Sequence, residues 1–275
     1  MTQLMRATAA TPSVPKLVGF FAVVALGTAV VVVTDVLSPS VTQSGLQQHA
    51  VRLGVLAVLL YGAWLALARA RFSSRARRTI WSVIALPLLV WQSIVWWLAL
   101  AGVFQGQIGP VPLLPMAIVL PLLIGLPLLL SSKTVGRMLD ATPPSWLVGL
   151  QVYRVFGSVF VTGWLAGNLP TIPAVPAGAG DALVGMVALP VALVLTSRAR
   201  SARSIALAWN VLGILDLVDA ITLNALANPG EPPTGPDPVA AFPLVLIPAF
   251  GVPLSLLLHS LSLRQLRRPQ CTSPR

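Results

Sequence analysis

The sequence predicts an all-α, polytopic membrane helix bundle of eight transmembrane helices with both termini in the cytoplasm. Three observations carry this expectation. Apolar residues make up 56% of the 275-residue chain and charged residues only 9%, with a mean hydropathy of +0.86. Soluble domains carry about 25% charged residues, so a water-soluble fold could not cover its own surface with these side chains. Second, apolar runs such as Leu17 to Val33 and Val239 to Leu258 are continuous and lack the alternation of barrel strands, which selects helices as the spanning structure. Third, the basic residues fall on alternate loops, as expected of loops retained in the cytoplasm.

The spans are read near 17–37, 50–70, 79–104, 108–131, 145–167, 181–197, 204–227 and 239–262. About 20 residues rising ~1.5 Å each cross a ~30 Å hydrocarbon core. The first is read as an uncleaved helix, because its apolar run exceeds a typical signal h-region and no A-x-A-like site follows. The sixth is short and contains Pro190.

Of the 18 basic residues, 16 lie at the termini or on three loops. Those loops hold Arg69, Arg71, Arg75, Arg77 and Arg78, then Lys133 and Arg137, then Arg198, Arg200 and Arg203. The alternate loops near 38–49, 105–107, 168–180 and 228–238 contain no Lys or Arg. This distribution assigns the net charge of +11 to anionic lipid headgroups rather than to nucleic acid. A single cysteine, Cys271, cannot form an internal disulfide.

The fourth and eighth spans share a proline rhythm, Pro115, Pro121 and Pro127 against Pro243, Pro248 and Pro253. Trp91-Gln92 and Trp209-Asn210 mark the third and seventh. A weak parallel 4+4 repeat would account for this, as would the general abundance of proline in membrane helices.

Polar residues inside the spans are the candidates for function. At 100° per residue, Gln151, Arg154, Ser158 and Thr162 fall on one side of the fifth span, opposite a small-residue stripe of Gly149, Gly163 and Gly167. An arginine at this depth costs at least ~2.5–3.5 kcal/mol without a partner. Asp216 of the seventh span lies within about three residues, ~5 Å, of the same depth, so an Arg154–Asp216 ion pair is expected, with Asp219 as alternate partner. Asn210 and Gln151 share a shallower layer, and His259 is placed shallower still. The candidate substrate-binding set is therefore Gln151, Arg154, Asn210, Asp216, Asp219 and His259. Asp181 reads as an N-cap after the loop Pro176-Ala177-Gly178-Ala179-Gly180, and Asp35 with Arg52 reads as a local ion pair.

The stretch from Gln151 to His259 is similar to an uncharacterised group of bacterial multi-pass membrane proteins. The residues behind the likeness are Gln151-x-Tyr153-Arg154, Pro176-Ala177-Gly178-Ala179-Gly180-Asp181, Asn210-x-x-Gly213-x-x-Asp216 and His259. The resemblance implies a common helical core and no particular activity.

Three functional classes follow. A small-molecule or proton-coupled transporter fits the kinked spans and the polar seam. A membrane subunit or assembly factor would meet a protein partner or a second copy of itself. An intramembrane enzyme would use Asp216, Asp219 or His259 as acid or base, but no G-x-S-x-G, H-E-x-x-H or phosphate-binding G-x-x-x-x-G-K-[ST] motif is present. Neither a cofactor nor a metal is expected, since His49 and His259 are assigned to opposite faces.

Overall fold

The computed structural model describes residues 46–108, 111–197, 199–227 and 237–267. Helices α1 (Leu46–Arg69) and α2 (Ser74–Leu100) form a hairpin whose turn carries Arg71 in the left-handed region, φ 56°. Ser73 caps α2 by accepting from the Ala76 N–H at 3.3 Å, which satisfies one of the orphan donors at a helix start. Gly102, also left-handed at φ 68°, turns the chain into a two-residue antiparallel ladder of β1 (Gln107–Ile108) and β2 (Val111–Pro112). Next come α3 (Leu113–Ser131) and a short α4 (Lys133–Ala141) capped by Ser132.

The next crossing is built in three pieces: α5 (Ser145–Leu150), a 3-10 segment (Gln151–Ser158) and α6 (Val159–Leu165). Two long helices, α7 (Thr171–Thr196) and α8 (Ala202–Ala227), lead to a π-turn at Ile247–Gly251 and α9 (Val252–Arg267). Among the described residues, six helices are long and apolar enough to cross a membrane, including the π-turn with α9. At ~1.5 Å per α residue and ~2.0 Å per 3-10 residue, the broken segment is about 35 Å long and also matches the hydrocarbon core. The expected first span at 17–37 and Asp35 lie outside the described residues.

Side chains such as Val58, Tyr61, Val83, Leu86, Leu123 and Leu212 are exposed on the outer faces. In water such a surface would drive association, and lipid is the solvent that suits it. The inner core gathers Val95, Phe104, Leu114, Ile118, Leu246 and Phe250 around the start of α9, which is the most buried of the six long helices.

Several boundaries differ from the sequence reading. The sixth span reaches back to Thr171, with a kink at the non-helical Ile172 (φ −112°, ψ 123°), rather than starting at 181, because the Pro/Gly-rich stretch read as a loop is helical from Pro173 on. Pro173 and Pro176 fall near the helix start, where a missing N–H costs little. Gly178 is therefore intrahelical, not part of an external loop. The third and fourth spans run 74–100 and 113–131, since Gly102 and the β ladder end one and delay the other. Residues 133–141, read as a loop, form α4. The eighth helix is shifted toward the C-terminus, with turns over 238–245 and α-helix to Arg267.

The two proline-rich helices also differ in kind. Helix α3 stays α-helical through Pro121 and Pro127, whereas Pro248 lies within a π-turn and Pro253 follows it. Trp91 packs on Phe250 at 4.6 Å, yet the buried Gln92 amide makes no hydrogen bond, unlike Asn210.

The small-residue contact between helices is real but uses other glycines. A Cβ on Gly149 would make only ordinary contact with Ala192, one on Gly163 would stand 2.6 Å from Leu169 Cδ1 in the loop that follows, and Gly167, at φ 73°, lies just past the end of α6. The close approach is between Gly157 and α7, where Gly178 and Gly185 leave room for backbone. A Cβ on Gly185 would stand 2.5 Å from the Val155 nitrogen, and one on Gly178 2.9 Å from the Val161 nitrogen. Backbone cannot yield as a side chain does, so Gly185→Ala is expected to lower stability by about 1–3 kcal/mol. Gly62→Ala, which adds a methyl where nothing lies within 4 Å, is expected to be neutral. Thermal unfolding of the two variants in detergent checks this, and equal melting temperatures would refute the close-packing account.

Candidate functional site

Arg154 sits on the 3-10 segment with 1% of its side chain exposed. Its five N–H groups meet five contacts. The Nε–H donates to Asp181 Oδ1 at 2.7 Å, and Nη2 lies 2.6 Å from the same oxygen and pairs with Asp216 Oδ2. Nη1 lies 3.2 Å from both the Gly213 carbonyl oxygen and His259 Nε2. The expected Arg154–Asp216 pair is present and is one arm of a fork. Asp181, read as an N-cap, is the second counter-ion: extending the helix to Thr171 places it inside the span. Asp219 is exposed and, among the described residues, makes no ion pair.

Glycines allow this convergence. The Asp181 carboxylate lies where a Cβ on Gly157 would be, and Asp216 Oδ1 occupies the corresponding space at Gly180. A Cβ on Gly213 would stand 2.5 Å from the His259 ring and 3.2 Å from Arg154 Nη1.

Beyond the guanidinium, the hydrogen bonds continue in one direction. His259, fully buried, contacts Asn210 Oδ1 through Nδ1 at 3.0 Å. The Asn210 amide nitrogen already donates to the Ala206 carbonyl at 2.8 Å and to Ser262 Oγ at 3.1 Å. Asn210 Oδ1 is thus the acceptor, His259 carries its proton on Nδ1, and neutral Nε2 accepts from Arg154. Trp209 backs the ring at 5.1 Å and anchors α8 to α7 through the Val184 carbonyl at 3.2 Å. His259 lies at the heart of the site rather than near the membrane surface, because α9 continues to Arg267.

Gln151 donates to the Ser255 carbonyl at 3.2 Å, and the Tyr153 hydroxyl meets Ser255 Oγ at 2.5 Å. Gln151 and Asn210 therefore both tie to α9 rather than to each other. The buried seam of Gln151, Arg154, Ser158 and Thr162 is as expected, although 3-10 winding brings Gln151, Arg154 and Gly157 into line. Sequence reading missed the contributions of Ser255 and Ser262. Their spacing from His259, four residues back and three on, was the available signal, since both share its helix face.

A narrow cleft reaches the cluster from one side. It has about 50 Å³ of space for the centres of water-sized molecules. It runs from Asp181 and Asp216 past Ala177 and Ala220 toward Pro173, Asn224 and Val239. The Asp181 and Asp216 side chains are 11% and 17% exposed, against 1% for Arg154. On the opposite side His259, Asn210 and Ser262 are sealed. Among the described residues no group of three His, Cys, Asp or Glu side chains could hold a metal ion. Arg52, expected to pair with Asp35, lies over the Trp96 ring at 5.0 Å.

Fold and site together define a membrane-type helical protein built around a buried guanidinium held by two carboxylates. The chain belongs to a family described as a domain of unknown function (DUF8737), whose model matches residues 111–267. That range contains every member of the cluster, and α1 and α2 precede it. No curated protein and no solved structure matches the chain.

Removing the guanidinium would leave two buried carboxylates facing each other, whereas removing one carboxylate leaves a balanced pair. Arg154→Leu is therefore expected to destabilise by about 3–5 kcal/mol, the usual cost of breaking a buried pair. Asp181→Asn should cost less, and Asp216→Asn least, in keeping with its greater exposure. Melting temperatures of the three purified variants test this order. An Arg154→Leu protein as stable as Asp216→Asn would contradict it.

Proposed function

We propose that this protein is a transporter-like integral protein of a bacterial inner membrane, with eight spans and both termini cytoplasmic. Its solute site is the Arg154, Asp181 and Asp216 cluster, flanked by His259, Asn210 and Gln151. The observation that carries the reading is one-sided access: the cleft reaches the two carboxylates and stops, and the far side of the guanidinium is buried. A charged group at mid-membrane that faces a cavity is the usual mark of a solute or proton path.

The cleft runs toward the ends of α7 and α8 that adjoin loops free of Lys and Arg, which the charge bias assigns to the outside. The opposite face carries the arginines. There Arg69 lies over Trp146 at 4.6 Å, Arg77 over Trp64 at 4.2 Å and Arg137 over Phe72 at 4.1 Å. Arg71, Arg75 and Arg78 remain exposed and suit anionic lipid headgroups. Hydrolytic chemistry is less well supported, because each carboxylate gives one oxygen to Arg154 and, among the described residues, the side-chain partner of Ser255 is Tyr153 rather than a general base.

Transport requires that the site open to either side in turn. In a Cys271→Ser background, a membrane-impermeant maleimide added outside is expected to label Ala177→Cys in the cleft. Added inside, it is expected to label Ala206→Cys, which is fully buried here, through an inward-open state. Reporter fusions after Arg77 and Arg203 should read cytoplasmic, and one at Asn168 external. If Ala206→Cys never reacts while Ala177→Cys does, the protein is static and the transporter reading fails in favour of a subunit role. A cytoplasmic signal at Asn168 would remove the proposed orientation.

A further inference from the structure

Two aspartates share one arginine. With both carboxylates ionised the cluster carries a net charge of −1, inside a span and at the foot of a cleft. An uncompensated buried charge is costly, and among the described residues the nearest other charged or titratable groups supply no cation. On the 3-10 segment these are Arg154, already counted, and the phenol of Tyr153. Near the cluster, helix α8 adds the exposed Asp219, a further negative charge, and α9 adds His259, whose Nε2 is occupied as an acceptor from Arg154; Arg203, Arg264 and Arg267 stand at the far ends of those helices. The lining contributed by α3, α6 and residues 239–252 is apolar. Each carboxylate also has an oxygen that takes no part in the arginine contacts: Asp181 Oδ2 over Gly157 and Asp216 Oδ1 over Gly180.

We infer that the cleft binds a narrow organic monovalent ammonium, its cationic head on Asp181 and Asp216 and its apolar chain along the cleft wall, in exchange for a proton. This deepens the transporter reading of the same site by naming the class of solute. The wall decides between cations. A bare metal ion wants about six oxygen ligands or more, and among the described residues the polar side chain lining the cleft beyond the two aspartates is Asn224, two turns further along α8. Phe160, Ala177, Leu217, Ala220, Ile221 and Ile247 make up most of the rest. Such a surface suits methylenes, and the Phe160 ring suits the edge of an ammonium. The limited space suits an extended chain rather than a bulky one. Proton and ammonium answer the same single charge, so occupancy by one disfavours the other. The charge balance is one for one: a proton leaves a carboxyl oxygen as the ammonium arrives, and no bond in the ammonium changes.

The test uses the full-length protein in phosphatidylcholine nanodiscs, with n-butylammonium as probe, 1-butanol as neutral isostere and protein-free discs as baseline. Calorimetry is expected to show n-butylammonium binding at least tenfold tighter than 1-butanol and weakening as pH is lowered. Protons should appear in the weakly buffered medium as it binds. Asp216→Asn should lose at least tenfold in affinity, and Asp219→Asn should not. Ala220→Phe, which fills the cleft and leaves every charge in place, should also abolish binding and covers the case in which Asp216→Asn fails to fold. Equal binding of 1-butanol, competition by sodium at equal concentration, or unchanged affinity in folded Asp216→Asn or Ala220→Phe would overturn the inference. So would no binding to the folded wild type. Ammonium binding without labelling of Ala206→Cys from inside would leave the cation site standing and remove transport; labelling without ammonium binding would do the reverse.

Discussion

A guanidinium inside a membrane bundle sets the terms for everything packed around it. Arg154 presents five donors in a rigid fork and cannot shed its charge, so its surroundings must supply acceptors for all five and a counter-charge together. No single neighbouring helix can do so. The acceptors come from α7 through Asp181, α8 through Asp216 and the Gly213 carbonyl, and α9 through His259. Three helices must therefore approach the segment that carries Arg154. The glycines at 157, 178, 180, 185 and 213 serve this one requirement, since side chains there would hold the elements apart.

The helix irregularities gather at the same place. Eight residues of 3-10 helix carry Arg154, and a π-turn contributes Ile247 to the cleft wall. Runs of 3-10 longer than three or four residues are uncommon, and π-turns tend to mark functional sites. The π-turn has a local cause: Pro253 lacks an N–H, while the Val252 N–H reaches back to the Ile247 carbonyl. Such backbone is tolerated at membrane depth where protein covers it, and Ala249 and Phe250 are buried. The broken crossing is thus placed away from lipid by the same packing that surrounds the arginine.

Much of this was legible in the residues. Apolar runs and the alternation of basic loops locate the long helices, because lipid selects on hydrophobicity over a fixed length. The partnership of Arg154 and Asp216 followed from counting helical rise from the ends of the spans. Asp181 was missed because Pro176-Ala177-Gly178-Ala179-Gly180 has the composition of a loop, and in water it would tend to be one. Within a bundle, the glycines' lack of side chains is what the packing uses. His259 was placed too shallow because the end of α9 was set at 262 rather than 267, an error of five residues or ~7 Å. The 3-10 winding left no signal in composition. Its effect on the seam was modest, since residues three and four apart share a face at either pitch.

The two sides of Arg154 differ in kind, and that difference gives the site its direction. Toward the cleft stand two carboxylates that water can reach; away from it stand a carbonyl, a neutral imidazole and an amide, all dry. Asn210 fixes the dry side: with both amide hydrogens committed, its oxygen can only accept, and this settles the histidine tautomer. A proton added to His259 Nε2 would oppose the Arg154 N–H already directed at it, so the dry side cannot take up positive charge without moving the arginine. The carboxylate side can, because its charge is in excess. Any cation or proton that binds therefore does so on the cleft side of Arg154. Movement of a charge past this point would require the arginine, and the 3-10 segment that carries it, to shift relative to α8 and α9. A lysine could not fill this place: three donors on a single nitrogen cannot span two carboxylates, a carbonyl and an imidazole as the planar fork does.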